Sequence, residues 1–155
     1  MNIDDRLVEI DKLLDEYANK IGIGVLTNPE ISQYLNLSQT ELKRLSSEEL
    51  GEISSQIYRL SSYIQVELGK HTAKLNWCNK YLDYIVSNEI EQVGTKYTPY
   101  NIRKLLVIKQ NDVAQKLNKL TSEISLYVDE LNNMPYSLRA YAMSLEKLQQ
   151  TKKHA

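Results

Sequence analysis

The chain has 155 residues, and its 19 Lys and Arg residues almost balance its 20 Asp and Glu residues. Charged residues make up 25% of the chain and hydrophobic residues 42%, proportions unlike those of an intrinsically disordered chain. No apolar run approaches the roughly 20 residues that a membrane-spanning helix needs, and the acidic start is unlike a signal or transit peptide. The length predicts a single domain, and the low counts of 5 glycines and 3 prolines disfavour a sheet-rich fold.

The first predicted helix covers about residues 4–21. Its apolar residues recur at alternating steps of four and three, the heptad spacing of a helix that packs along one seam. The seam residues are Ile3, Leu7, Ile10, Leu14, Tyr17 and Ile21. Because a helix of this length gains most of its stability by packing, we expect Leu7, Ile10 and Leu14 to contact the hairpin described below or another subunit.

The linker after this helix carries three signals of a chain break, Gly22, Gly24 and Asn28-Pro29. Residues 30–45 are expected to form one or two short helices. Ser38 and Glu41 have the spacing of a capping box, in which each side chain bonds the backbone N–H of the other residue. Residues 1–45 are thus predicted to be an N-terminal helix and a linker.

A much longer helix is predicted to begin near Ser46, which has capping-box spacing to Glu49, and to stop at Gly94. A helix of about 47 residues would be about 70 Å long at 1.5 Å per residue. Nothing so long can be buried around the core of a small monomer, so this helix needs a partner helix or a partner subunit.

Another helix is expected after the turn, with Thr98 as its cap and Pro99 in its first position. The candidate oligomerisation residues along it are Leu117, Leu120 and Ile124. Because the connection is short, residues 46–133 are predicted to form a long antiparallel hairpin. Residues 134–155 follow as a C-terminal helix with a basic tail. The predicted fold is all-α, coiled-coil-like and oligomeric.

Charge is distributed unevenly along the sequence. Residues 1–70 contain 7 basic and 12 acidic side chains, whereas residues 71–155 contain 12 basic and 8 acidic side chains. This asymmetry suggests that the second half binds an anionic partner. The alternative is that the two halves attract each other within an oligomer.

The middle of the long helix carries two different faces. At 100° per residue, one side forms an ordinary core stripe, which consists of Leu68, His71, Thr72, Leu75, Cys78, Leu82 and Val86. The residues on the opposite side are Lys70, Lys74, Trp77, Tyr81 and Tyr84. Either this helix packs on both faces, or its aromatic rings stack on nucleic-acid bases while lysines meet phosphates.

A second basic cluster lies at the predicted hairpin tip, in residues 96–109, which contain no acidic side chain. Its basic and aromatic residues are Lys96, Tyr97, Tyr100, Arg103, Lys104 and Lys109. A charge run is usually only a solvated helix end, but tyrosines among basic residues favour nucleic-acid binding. All of these residues except Lys109 are candidates for that interface.

The sequence lacks the patterns of common active sites. The two histidines, His71 and His154, are far apart, and with Cys78 as the only cysteine they permit no common zinc site. There is no Gly-rich phosphate loop and no nucleophile elbow. Cys78 lies on the core stripe, where a thiol is unreactive. We therefore expect no enzymatic activity, no metal and no cofactor.

The order of segments over roughly residues 60–150 provides one resemblance. A Lys- and aromatic-rich helix (74–84) precedes a polar turn, a long helix and the break Asn132-Asn133-Met134-Pro135 before a final amphipathic helix. This layout resembles that of the UvsY-like phage recombination mediator proteins, which help to load a recombinase onto single-stranded DNA. The resemblance implies a helical C-terminal region used in oligomerisation. The positions that would face the DNA are Lys74, Trp77, Lys80 and Tyr81.

These observations predict a non-enzymatic recombination or replication accessory, a mediator that binds single-stranded DNA and partner proteins such as a recombinase. We expect it to be a homo-oligomer, not bound to a membrane, in the cytoplasm of a bacterium or of an infected host cell. The alternative is a structural coiled-coil protein, such as a virion component, an assembly scaffold or a chaperone, that binds no nucleic acid. A helical adaptor or inhibitor of one host protein is a third hypothesis.

Overall fold

The computed structural model of the protein describes residues 2–20, 22 and 29–154. Most of these residues are helical, and none of them forms a strand. The helices are α1 (Ile3–Lys20), α2 (Gln39–Arg44), α3 (Ser47–Glu89), α4 (Tyr100–Gln110), α5 (Asp112–Asn132) and α6 (Met134–Lys153), and short 3-10 helices cover Pro29–Tyr34 and Ile90–Gln92. The predicted all-α fold is confirmed.

Both predicted capping boxes are present. The backbone N–H of Ser46 donates to the Glu49 carboxylate at 2.6 Å, and the Glu49 N–H donates to Ser46 Oγ at 3.1 Å. Ser38 and Glu41 form the same reciprocal pair before α2. Hydrogen bonds from the Ser38 hydroxyl and N–H lower the pKa of Glu41, and bonds from the Ser46 N–H and hydroxyl lower the pKa of Glu49.

Helix α1 ends close to the predicted position. Gly22 has a φ of 70°, a left-handed conformation that favours glycine, and its N–H donates to the Asn19 carbonyl at 3.1 Å. Three residues of the predicted seam and linker, Ile21, Gly24 and Asn28, lie outside the described residues. Tyr17, a residue of the predicted seam, is exposed, whereas its neighbour Ala18 is buried. The buried stripe therefore departs from the heptad, because a straight helix has 3.6 residues per turn.

The single helix predicted from Pro99 to residue 132 is wrong, since Asn111 separates α4 from α5. Asn111 has an extended backbone, with φ −111° and ψ 113°. Its side-chain oxygen accepts from the Ala114 N–H at 3.0 Å, and its side-chain N–H donates to Glu89 at 2.7 Å. Asn111 thus caps α5 and holds it to the end of α3.

The start of α4 also differs from the prediction by one position. Pro99 is the residue before the first helical position, with φ −55° and ψ 148°. The Thr98 hydroxyl does not cap the helix but accepts from the Thr95 N–H at 2.9 Å. The break predicted before the last helix is present, because α5 ends at Asn132 and α6 begins at Met134.

The helices form two compact units. Unit I takes the described residues of Met1–Ile10 and Gly69–Asp129. Its buried core residues are Ile3, Cys78, Leu82, Ile85, Val86, Ile90, Val107, Ala114, Leu117 and Ile124. Polar contacts join its helices at Lys116–Asp4 (2.6 Å) and Asn111–Glu89, and the rings of His71 and Tyr127 stack with centroids 5.3 Å apart.

Unit II takes the described residues of Asp11–Leu68 and Glu130–Ala155. Its buried core residues are Ile31, Leu42, Leu50, Ile53, Ile57, Ala142 and Leu145. Two buried serines of α3, Ser54 and Ser61, donate to the carbonyls of Ala142 and Pro135 at 3.1 and 3.0 Å. Because the later serine of α3 meets the earlier residue of α6, these two helices run in opposite directions.

Candidate nucleic-acid interface

Three aromatic residues form a row along the C-terminal half of α3. The ring centroids of Trp77 and Tyr81 are 5.5 Å apart, and those of Tyr81 and Tyr84 are 6.4 Å apart. Steps of four and three residues place all three side chains on one helix face. Trp77 and Tyr81 are half-buried and pack against the core of unit I, whereas Tyr84 is 61% exposed. Only the Tyr84 end of the row offers a broad ring surface to solvent.

The lysines next to this row differ in their surroundings. Lys80 is exposed, whereas Lys74 is half-buried. Lys104, on α4, is brought beside α3, where its Nζ donates to Asp83 Oδ1 at 3.1 Å. The Asp83 carboxylate offsets part of the positive charge at this point, so Lys80 is the most accessible cation beside the aromatic row.

The basic segment (residues 96–109) presents its tyrosines to solvent. Tyr97 is 82% exposed and Tyr100 is 59% exposed. Lys96 Nζ lies 5.1 Å from the centroid of the Tyr97 ring, in cation–π contact. An exposed ring and an ammonium group thus lie next to each other at this surface, the two kinds of group that contact bases and phosphates in single-strand binding.

A compact turn positions these tyrosines. The Tyr97 N–H donates to Thr95 Oγ1 at 3.3 Å, which ties the exposed ring to the turn. Gly94 has a φ of 73°, and a Cβ at this position would lie 3.0 Å from Thr98 Oγ1 and 3.2 Å from Arg103 Cγ. The conformation favours glycine, and a larger residue would also have to displace these side chains slightly. Arg103 is half-buried, and its buried Nε has no hydrogen-bond partner.

The candidate oligomerisation residues have varied environments. Leu117 is fully buried and Ile124 is 8% exposed, both in the core of unit I, and Leu7 and Leu120 pack against that core. Ile10 and Leu14 are half-buried. Leu117 and Ile124 are therefore covered by their own chain.

Cys78 is buried in the core of unit I, as expected. Burial raises the pKa of its thiol, although the charge of Lys74 acts in the opposite direction. A neutral, enclosed thiol is a poor nucleophile. The described residues contain no group of three or more His, Cys, Asp or Glu side chains that could hold a metal ion. Among these residues, no helix has the length and apolarity that crossing a membrane demands.

The structure brings together some predicted residues and adds others. It groups Trp77 and Tyr81 in the row, joins Lys104 to α3, and pairs Lys96 with Tyr97. Tyr84 was recognised on the aromatic face but was not among the candidate binding residues, although its step of three from Tyr81 extends the row. The contact of Asp83 with Lys104 had no signal in the sequence, since 21 residues separate them.

Comparison of the chain with protein families, with curated proteins and with solved structures found no match.

Proposed function

We propose that the protein is a non-enzymatic accessory of phage-type recombination or replication, which binds single-stranded DNA without sequence preference. The observation that carries this proposal is the set of exposed tyrosines beside lysines in unit I. Tyr84, Tyr97 and Tyr100 each expose more than half of their surface, and residues 96–109 contain no acidic side chain. Aromatic faces bind any base and ammonium groups bind any phosphate, so such a surface selects single strands rather than a sequence.

The assembly part of the proposal is a helical homo-oligomer built on a long antiparallel hairpin, with a recombinase or another replication protein as a further partner. Two contacts in unit I support the hairpin. Asn111, before α5, meets Glu89 at the end of α3, while Tyr127, near the end of α5, stacks on His71. The reversed order of these contacts is that of two helices running in opposite directions.

Local charge supports an anionic ligand on unit I. Unit I contains 10 basic and 9 acidic residues, whereas unit II contains 9 basic and 11 acidic residues. Four of the basic residues of unit I lie in the basic segment. The phosphate backbone would therefore meet locally positive charge although the chain as a whole carries a net charge of −1.

The test is the fluorescence anisotropy of a labelled oligothymidylate titrated with the protein at several salt concentrations. Affinity should fall as salt rises, because phosphate contacts release counterions. Tyr97→Ala should weaken binding by about 1–3 kcal/mol if a base stacks on this ring. Tyr136→Ala is the matched control, since Tyr136 in unit II is similarly exposed, at 79%. The absence of salt-sensitive binding, or equal losses in the two variants, would refute the proposal.

The only tryptophan supplies a second readout. Because Trp77 is half-buried against the core and next to Tyr81, a base that stacks along the row should quench its emission. A blue-shifted emission that ignores the oligonucleotide would assign Trp77 to packing alone. Trp77→Ala would then lower stability by up to about 3–5 kcal/mol, the range for truncating a buried aromatic residue.

A structural coiled-coil protein remains the second candidate function. It is favoured by aliphatic side chains at the surface, since Leu105 and Leu126 are 61% and 65% exposed. Nucleic acid offers little to a leucine, whereas another protein would cover it. An assembly that forms normally but never binds the oligonucleotide would favour this candidate.

A further inference from the structure

Helix α4 has an apolar outer face that unit I does not cover. Ile102 and Leu105 are 44% and 61% exposed, and Lys109 beside them is exposed as well. Steps of three and four residues place these side chains on one face of the helix. Fully buried Val107 faces the core on the opposite side. The α4 outer face therefore presents two aliphatic residues and a cation to solvent.

The charge of α4 indicates what kind of surface this face fits. Lys109 is the charged residue on this face, and residues 100–110 contain no acidic side chain. Nucleic acid would satisfy the charge but not the aliphatic side chains. An acidic helix with its own exposed apolar residues would satisfy both requirements.

The chain itself contains such a helix. Leu13 and Tyr17 of α1 are 54% and 63% exposed, and Glu16 beside them is exposed. Glu16 is the acidic residue of this group, opposite in charge to Lys109 on the α4 outer face. Leu13, Glu16 and Tyr17 share one face of α1 because they are three and four residues apart.

We propose that the α4 outer face docks the Leu13–Tyr17 face of α1 from a second copy of the chain. Each copy carries both faces, so the contact is heterologous, and it repeats from copy to copy either as a closed pair or ring or as an open filament. This inference rests on the oligomeric part of the proposed function and names its interface. It is separate from nucleic-acid binding, because Arg103 and Lys104 lie towards the opposite side of α4.

The experiment measures the mass of the full chain by light scattering during gel filtration, without nucleic acid, over a range of concentrations. The wild type should exceed its monomer mass of 17.9 kDa at least twofold. Leu105→Ser and, separately, Leu13→Ser should each weaken association by about tenfold or more, the effect of losing one buried leucine contact. Leu126→Ser is the matched control, because Leu126 on α5 is 65% exposed and should leave the mass unchanged.

A charge exchange tests the pairing directly. Lys109→Glu and Glu16→Lys should each weaken self-association about two- to fivefold, the effect of a surface ion pair. An equimolar mixture of the two variants should recover the wild-type mass, since opposite charges then face each other in both contacts. Circular dichroism should show unchanged helix content in every variant.

A wild-type mass of 17.9 kDa at high micromolar concentration would overturn the proposal. An oligomer that survives Leu105→Ser but not Leu126→Ser would also overturn it, by moving the interface to α5. An oligomer that survives all the variants would assign the α4 outer face to another occupant, such as an acidic protein or an anionic lipid surface. None of these results bears on oligonucleotide binding by Tyr97, which the anisotropy experiment measures.

Discussion

Units I and II use different chemistry where helices meet. In unit II, buried hydroxyls of Ser54 and Ser61 on α3 donate to backbone carbonyls of α6. Each buried hydroxyl thus has an acceptor on the facing helix although it is shielded from water. In unit I the core is formed by aliphatic residues and Cys78. Its polar contacts between helices are the part-buried Asn111–Glu89 bond and the exposed pairs Lys104–Asp83 and Lys116–Asp4.

This difference concerns how strictly each unit fixes its helices and what it leaves at its surface. The hydrogen-bonded seam of unit II specifies one arrangement of α3 and α6, since any shift leaves a buried group unpaired. Unit I leaves Tyr84, Tyr97 and Tyr100 at the surface beside lysines. Unit I therefore has the exposed surface on which we place nucleic-acid binding. Four variants or conditions test this comparison, beginning with the largest expected effect.

The two cores should be equally sensitive to truncation. Leu117 in unit I is fully buried and Leu145 in unit II is 1% exposed. Leu117→Ala and Leu145→Ala should each lower the free energy of unfolding by about 2–5 kcal/mol, through lost contacts and a cavity. Urea denaturation followed by circular dichroism measures the loss. Leu126→Ala, at an exposed position, should change the free energy of unfolding by less than about 0.5 kcal/mol. A core variant with an equally small loss would show that its site is not closely packed.

The buried serines should matter in unit II. The Ser61 hydroxyl donates to the Pro135 carbonyl at 3.0 Å and accepts from Arg139 Nε at 3.2 Å. Ser61→Ala leaves both groups without this partner and should lower stability by about 1–3 kcal/mol. Thermal unfolding compares it with Ser144→Ala, whose exposed hydroxyl bonds the Tyr141 carbonyl in its own helix. If the two variants lower the melting temperature equally, the buried hydroxyl contributes no more than an exposed one, and the contrast between the two units fails.

The cap of α5 should matter in unit I. Asn111→Ala removes the acceptor for the Ala114 N–H and the donor to Glu89. The expected loss is about 1 kcal/mol, the usual value for an N-cap. Asn118→Ala, on the exposed surface of α5, is the control and should cause no loss in the same urea titration. An unchanged free energy of unfolding in Asn111→Ala would contradict the prediction, because it would show that these two bonds add nothing to stability.

The smallest expected effect comes from the Ser46–Glu49 capping box at the start of α3. The folded-state pKa of Glu49 is lowered from its ordinary value of 4.5 by bonds from Ser46. The box therefore stabilises the fold fully above pH 4.5, and its contribution is lost as the pH falls through the lowered pKa. Glu49→Gln keeps the hydrogen-bonding pattern without the titration. Between pH 6 and pH 3, the melting temperature should fall less in this variant than in the wild type. An equal fall in both proteins would contradict the prediction.

Local signals in the sequence predicted several helix boundaries correctly. The Ser38–Glu41 and Ser46–Glu49 spacings identified the starts of α2 and α3 because a capping box needs only residues within one turn. The boundary at Asn111 was missed although Asn111-Asp112 is itself a cap followed by an acidic first turn. The apolar periodicity continues across it, so periodicity alone could not reveal the break.

The sequence could predict which residues of the candidate interface share a helix face, but not which of them are exposed to solvent. The sequence placed Trp77, Tyr81 and Tyr84 on one face, since helical spacing determines direction. It could not distinguish the half-buried Trp77 from the 61% exposed Tyr84. Which rings are covered depends on residues far along the chain that pack around α3.

The sequence by itself determined the all-α class, the two capping boxes and the grouping of aromatic and basic residues, because these depend on neighbours within a few positions. Only the tertiary structure decided that the Ser61 hydroxyl is buried against Pro135, that Asp83 offsets the charge of Lys104, and that Leu105 is left exposed. Each of these outcomes depends on residues that are distant in sequence, or on the lack of a covering side chain. No local pattern carries that information, because burial is a property of the whole packed unit.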